Sequence, residues 1–126
     1  MAMKESAEMY LETIYTLSQS KSNVRSVDVA EALGYSRPSV CRAVGLLKRD
    51  GHLLMDRDGF LTLTESGRDI AEKIYQRHTV LTAALAALGV DEETAAEDAC
   101  RIEHVISDRT LEAITSHMKQ YAGGTA

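Results

Sequence analysis

Residues Ser26 to Leu63 constrain the fold of this chain more than any other stretch. A short helix is expected over Val27 to Leu33, with Ser26 as its N-cap and Gly34 as its stop. Ser36-Arg37-Pro38-Ser39 then opens a second helix. The chain's only proline falls in its first turn, where a missing N–H costs no hydrogen bond. That helix runs to about Asp50, turns Val40, Val44 and Leu47 inward, and stops at Gly51. Two apolar runs follow, Leu53-Leu54-Met55 and Phe60-Leu61-Thr62-Leu63, around the turn signal Asp56-Arg57-Asp58-Gly59, which reads as a β-hairpin. Upstream, Ala7, Tyr10, Leu11, Ile14 and Leu17 recur at helical spacing over residues 5–19. Helix, short helix, glycine turn, helix and hairpin is the order of a winged helix-turn-helix.

The charge distribution gives that motif a partner. The net charge is −5, which argues against nucleic acid, but Tyr35 to Arg49 holds Arg37, Arg42, Lys48 and Arg49 without one acid. Acids gather later, at Asp91, Glu92, Glu93, Glu97 and Asp98. A local basic patch outweighs the global sum in binding phosphates. A helix fits the major groove and reads base edges with its N-terminal residues, here Ser36, Arg37, Pro38, Ser39 and Arg42. Lys48 and Arg49 suit phosphate contact, and Arg57 at the hairpin tip suits backbone or minor groove. The competing reading is a solvated basic face on a three-helix protein-binding domain; the clustering of bases inside an acidic chain favours DNA.

The remaining sequence predicts helices only. Thr64 caps a long helix to about Leu88, with the stripe Ile70, Ile74, His78, Leu81, Leu85 and Leu88, ended by Gly89. Asp91 caps the next, and a last helix after Ser107 carries Leu111, Ile114 and Met118 on one side to about Gln120, leaving a tail over 121–126. The fold class is therefore mainly α with a small β-hairpin: a winged helix-turn-helix over residues 1–72, then a helical metal-binding and dimerisation domain over 73–126. Aromatic content is 5% with no Trp, so the core is thin and dimerisation would bury more of it. No signal peptide or membrane span is visible, and Cys41 and Cys100 make no disulfide framework, which points to the cytoplasm.

Cys100, Glu103 and His104 stand at i, i+3 and i+4 of an expected helix, where side chains share a face. Sulfur, oxygen and nitrogen are all ligands for first-row metals. Ala95, Ala99, Ile102 and Ile106 form the apolar stripe, and Cys100 falls away from it, unusual for a free cysteine. One helix cannot complete a coordination shell. Met9 lies off the core side of the first helix with Glu12 one turn on; taken alone it reads as a surface or dimer-contact methionine. His78 sits inside an apolar stripe, where a hydrogen-bonded core histidine is the ordinary case. His52 and His117 receive no role, and Cys41 reads as packing.

The chain resembles the diphtheria-toxin-repressor family of iron- and manganese-dependent transcriptional repressors, in a short form without an SH3-like domain. The resemblance runs through Glu8-Met9-Tyr10-Leu11-x-x-Ile14-Tyr15, Ser36-x-Pro38-Ser39-Val40, Arg49-Asp50-Gly51, Leu63-Thr64-x-x-Gly67, Arg77-His78 and Ala99-Cys100-Arg101-x-Glu103-His104-Val105-x-Ser107-Asp108. It implies a metal site made by Met9, Cys100, Glu103 and His104. Met and Cys there resemble the iron-responsive branch, whereas Glu12 and the chain length resemble the manganese branch. His78 matches a second-metal position, but Thr82 and Ala96 replace further ligands of the iron branch. A second site would therefore use Glu12, His78 and a shared Glu103.

The function implied is that of a homodimeric repressor sensing Fe2+ (alternatively Mn2+, with other divalent first-row metals substituting). It would grip palindromic operator DNA and control metal-homeostasis genes, with no membrane and no small organic substrate as partner. The alternatives are a metal-independent or thiol-redox-sensing winged-helix regulator and, more remotely, a metallohydrolase with Glu103 as base. The last would leave the basic helix unexplained, and the chain is not expected to be an enzyme.

Overall fold

The computed structural model describes residues 5–124, with side chains described as far as residue 120. The elements in chain order are α1 (Glu5–Ser20), α2 (Ser26–Leu33), α3 (Arg37–Arg49), β1 (Leu53–Met55), β2 (Leu61–Leu63), α4 (Glu65–Ala87), α5 (Glu92–Ile102) and α6 (Asp108–Gly124). The mainly helical class with one hairpin is as expected. The chain separates into two compact units, Met1–Lys73 and Ile74–Ala126, whose boundary falls inside α4.

In the first unit the core is built by Tyr10, Leu11 and Ile14 of α1, Val29 and Ala30 of α2, Val40, Val44 and Leu47 of α3, Val24, Leu53 and Leu61 beside them, and Ala71 of α4. Val40, Val44 and Leu47 stand at i, i+4 and i+7, one helical face; burying each contributes about 1.5–3 kcal/mol. Cys41, read as packing, is exposed, because one residue's rotation of about 100° carries it off that face.

The start of α2 differs from expectation. Ser26 is the first helical residue and Arg25 is the cap, its backbone N–H donating to Asp28 Oδ2 at 2.8 Å. Asp28 prevails over the serine because the Lys21 ammonium also holds its carboxylate, and these two bonds keep its pKa below the ordinary value. Any stability from this contact is complete above the ordinary carboxylate pKa and disappears as pH falls through the lowered folded value. Gly34, at φ 70°, ends α2 by donating its N–H to Ala30 O at 2.8 Å.

The hairpin pairs Leu53 with Leu63, Leu54 with Thr62 and Met55 with Leu61. Phe60, expected in the second strand, belongs to the turn. Its N–H and that of Asp58 donate to Asp56 Oδ1, and its carbonyl accepts the Asp56 N–H at 3.1 Å. The Arg25 guanidinium covers its ring at 4.5 Å from the centroid. Leu61 adds an isolated antiparallel bridge by donating its N–H to Val24 O at 2.7 Å.

Thr64 caps α4, its Oγ1 accepting the Gly67 N–H at 3.2 Å, while the Thr64 N–H donates to His52 O. This brings α4 so close to the residue preceding β1 that a Cβ on Gly67 would lie 2.0 Å from His52 O.

In the second unit α4 buries Ile74, Arg77 and Leu81, and α5 buries Ala95 and Ala99. Leu88, placed in the inward stripe from sequence, is 81% exposed, because α4 ends at Ala87 and the chain turns through Gly89 at φ 104°. Asp91 caps α5 as expected, accepting the Thr94 N–H at 3.0 Å. The helix then ends at Ile102, earlier than expected. Glu103 is its C-cap, still in the right-handed helical conformation with its N–H on Ala99 O, and His104 lies in the turn beyond. The backbone of α6 continues past the expected end at Gln120 to Gly124; the last two residues of the anticipated tail lie outside the described residues.

Replacing Gly67 by Ala drives a methyl into backbone and is expected to destabilise the protein by about 1–3 kcal/mol. Gly45→Ala, at an exposed position inside α3 with nothing within 4 Å, is expected to stabilise it by about 0.5–1 kcal/mol. Denaturant unfolding of both variants checks the opposite signs.

Candidate functional site

Every residue assigned to DNA from the sequence is solvent-exposed: Ser36, Arg37, Pro38, Ser39, Arg42, Lys48, Arg49 and Arg57. Ser36 is the N-cap of α3, its Oγ accepting the Ser39 N–H at 3.3 Å and donating to Ser39 Oγ at 2.9 Å, so both hydroxyls define the helix start. Arg37 and Pro38 occupy the first turn and Arg42 the next; Lys48 and Arg49 close the helix. Arg49 Nε pairs with Asp50 at 3.2 Å, a well-solvated contact of small energetic value. Arg57 projects from the hairpin turn between Asp56 and Asp58. A cation-bearing helix with an exposed first turn, and an exposed arginine at the hairpin tip, present side chains of the kind that contact duplex DNA.

The second unit contains a polar centre around Glu103, whose side chain is fully buried. His78 Nδ1 lies 2.9 Å from one carboxylate oxygen, Oε2, and His104 Nε2 lies 3.4 Å from the other, Oε1. His78 enters from α4, and His104 from the turn following α5. The turn itself is held by Arg77. One guanidinium nitrogen donates to Glu103 O at 3.0 Å and to Ile106 O at 3.4 Å, and the other pairs with Asp108. Arg77 thus fixes the backbone carrying the carboxylate, and its second nitrogen's charge is met by Asp108.

A buried carboxylate flanked by two imidazole nitrogens suits a divalent first-row cation, since oxygen and nitrogen are both ligands for such ions. Positive charge would offset a desolvation cost of several kcal/mol. Cys100 lies three residues earlier on the last turn of α5 and is exposed. Met9 and Glu12 belong to the first unit, one turn apart on α1 and each half-buried; Met9 Sδ accepts a hydrogen bond from Tyr35 Oη. Of the histidines given no role, His52 bonds Ser66 Oγ at 2.9 Å. His117 borders an apolar groove formed with Leu81, Leu85, Ile106, Ile114 and Met118.

The structural role of Arg77 is not among the expectations from sequence. Its signal was available: Arg77 stands at i+3 from Ile74 and i+4 before Leu81, an arginine in the apolar stripe that must find acceptors.

A winged DNA-binding unit followed by a helical unit with a buried carboxylate–imidazole centre defines a metal-responsive DNA-binding regulator. Residues 2–60 match the family model described as "Iron dependent repressor, N-terminal DNA binding domain", and residues 64–122 match "Iron dependent repressor, metal binding and dimerisation domain". The HTH-type transcriptional regulator MntR of Lysinibacillus sphaericus (strain C3-41) is 38% identical over 109 residues, 86% of this chain and 78% of that protein. The diphtheria toxin repressor of Corynebacterium diphtheriae (strain ATCC 700971 / NCTC 13129 / Biotype gravis) is 32% identical over 116 residues, 91% of this chain and 51% of that one. A solved manganese-dependent transcriptional repressor in complex with manganese superposes with a TM-score of 0.83 at 30% identity, over 90% of this chain and 52% of its own. The chain therefore spans about half the length of those last two proteins. It belongs to the iron dependent repressor family and carries both its DNA-binding domain and its metal-binding and dimerisation domain. The family consists of transcriptional repressors rather than enzymes. No helix among the described residues is long and apolar enough to cross a membrane.

Glu103→Gln keeps the volume and the acceptor for His78 while removing the negative charge. The metal-free variant is expected to unfold no more easily than the parent, while divalent-metal affinity falls at least about 100-fold. Calorimetric titration with manganese(II), paired with thermal unfolding, measures both.

Proposed function

We propose that this repressor is switched by a divalent first-row cation held by Glu103 and His104 together with Cys100 and Met9. A second ion would be held through His78 and Glu12 with Glu103 shared. The observation that carries this reading is the fully buried Glu103 carboxylate between two imidazoles. A bound divalent cation supplies positive charge and directional bonds to donors from separate segments. When donors on α1 and those at the end of α5 are engaged together, they restrain the DNA-binding unit. In a homodimer this fixes the separation of two α3 helices. A separation near one DNA turn, about 34 Å, or a multiple of it lets both enter a palindromic operator. Arg37 and Arg42 then face base edges from the start of α3, while Lys48, Arg49 and Arg57 meet phosphates. Metal and DNA must raise each other's affinity by the same factor.

The sulfur donors Met9 and Cys100 favour iron(II) as the physiological ion, since soft ligands discriminate against manganese. The manganese reading is supported by Glu12 and by relatives that are manganese regulators. The cytoplasm, where operator DNA and labile metal meet, is the proposed location, and metal-homeostasis genes are the proposed targets.

Anaerobic titration of labelled palindromic DNA with and without iron(II) or manganese(II) tests the switch. DNA affinity should rise about 5- to 150-fold with metal and fall steeply with salt. Equal affinity under all metal conditions would remove the sensor reading and leave a metal-independent or thiol-based regulator. Cys100→Asp should move the preference toward manganese, and an unchanged preference would refute the sulfur argument.

A further inference from the structure

We infer that Tyr35 is a positioning residue that ties the Met9 thioether to the start of the recognition helix, so that engagement of the sulfur is felt at the base-reading end of α3. This rests on Met9 being a metal donor, as proposed above. The Tyr35 hydroxyl donates to Met9 Sδ at 3.9 Å, across 26 residues of sequence. Its ring meets that of buried Tyr10 edge-on, with centroids 6.0 Å apart and planes at 65°. Its backbone N–H donates to Ala30 O at 3.1 Å, anchoring it to the end of α2. The next residue, Ser36, is the N-cap of α3. One side chain therefore joins the donor on α1 to the residue immediately before the helix that carries Arg37 and Arg42.

The chemistry suits a relay. A thioether sulfur has two lone pairs; accepting the phenol proton engages one and leaves the other for a soft cation. Methionine has three flexible side-chain torsions, so holding the sulfur in place beforehand lowers the entropy lost on ligation. A tyrosine serving only to pack would need its ring but not its hydroxyl.

The test compares the full chain with Tyr35→Phe, Met9→Leu and the double variant. Phenylalanine keeps the ring contact with Tyr10, so the fold is retained. Three quantities are measured: anaerobic iron(II) and manganese(II) affinity, DNA affinity with and without metal, and the NMR shift of the Met9 methyl in the metal-free protein. Tyr35→Phe is expected to move the methyl resonance, weaken metal affinity about two- to tenfold, and leave metal-free DNA affinity unchanged. Its effect on metal affinity should vanish in the Met9→Leu background. An unmoved methyl signal, or an equal loss in that background, overturns the proposal. If Met9→Leu weakens metal binding and Tyr35→Phe does not, Tyr35 alone is refuted. If Met9→Leu leaves metal binding unchanged, Met9 is no ligand and the reading beneath falls.

Discussion

A carboxylate withdrawn completely from water must recover from its neighbours the hydrogen bonds and charge compensation that water supplied, and the second unit is organised around meeting that demand for Glu103. His78 and His104 approach its two oxygens separately. Arg77 binds the main chain on either side of His104, at Glu103 O and Ile106 O, with Asp108 taking its other nitrogen. The result is a rigid backbone turn holding an acid between two nitrogens. Such a group is expensive as a purely structural element, and apolar replacements at buried ion pairs are often neutral or stabilising. Its retention is understandable where a cation is the intended partner.

Helix α4 carries chemistry for both units. Its first turns are fixed by Thr64 and by the close approach of Gly67 to His52 O, and Ala71 completes the first core. Beyond Lys73, its residues Ile74, Arg77, His78 and Leu81 serve the second unit. The DNA-reading surface depends on shorter-range chemistry: the Ser36 cap, Pro38 in the first turn and Gly34 before them set where α3 begins, and hence which side chains lead it.

Features decided by local chemistry were legible in the sequence. Gly34, Pro38 and Asp56-Arg57-Asp58-Gly59 declare their turns through backbone preferences that tertiary context rarely overrides, and the stripe Val40, Val44, Leu47 declares its buried face. What escaped was decided by competition or by the end of an element. Ser26 lost the cap to Arg25 because Asp28, three residues on, offers a stronger acceptor. Leu88 fits the helical period but follows the last residue of α4, so periodicity placed it inside when the chain had already turned. Glu103 was grouped with Cys100 on one face. Glu103 follows Ala95 and Ala99 at i+4 spacing and is buried with them, while the thiol, one residue past Ala99, is exposed. The ligand types could be named from sequence and family resemblance; that Glu103 meets both His78 and His104 depends on how α4 packs beside the end of α5.

The account stands on Glu103 being a cation ligand rather than a neutral or merely hydrogen-bonded core acid. Anomalous diffraction from crystals of the protein grown anaerobically with iron(II), and separately with manganese(II), addresses this directly. The account predicts an anomalous peak bonded to a Glu103 carboxylate oxygen and to a His104 imidazole nitrogen. Crystals showing the ion only at exposed acids elsewhere, with Glu103 still bridging the two histidines, would contradict it.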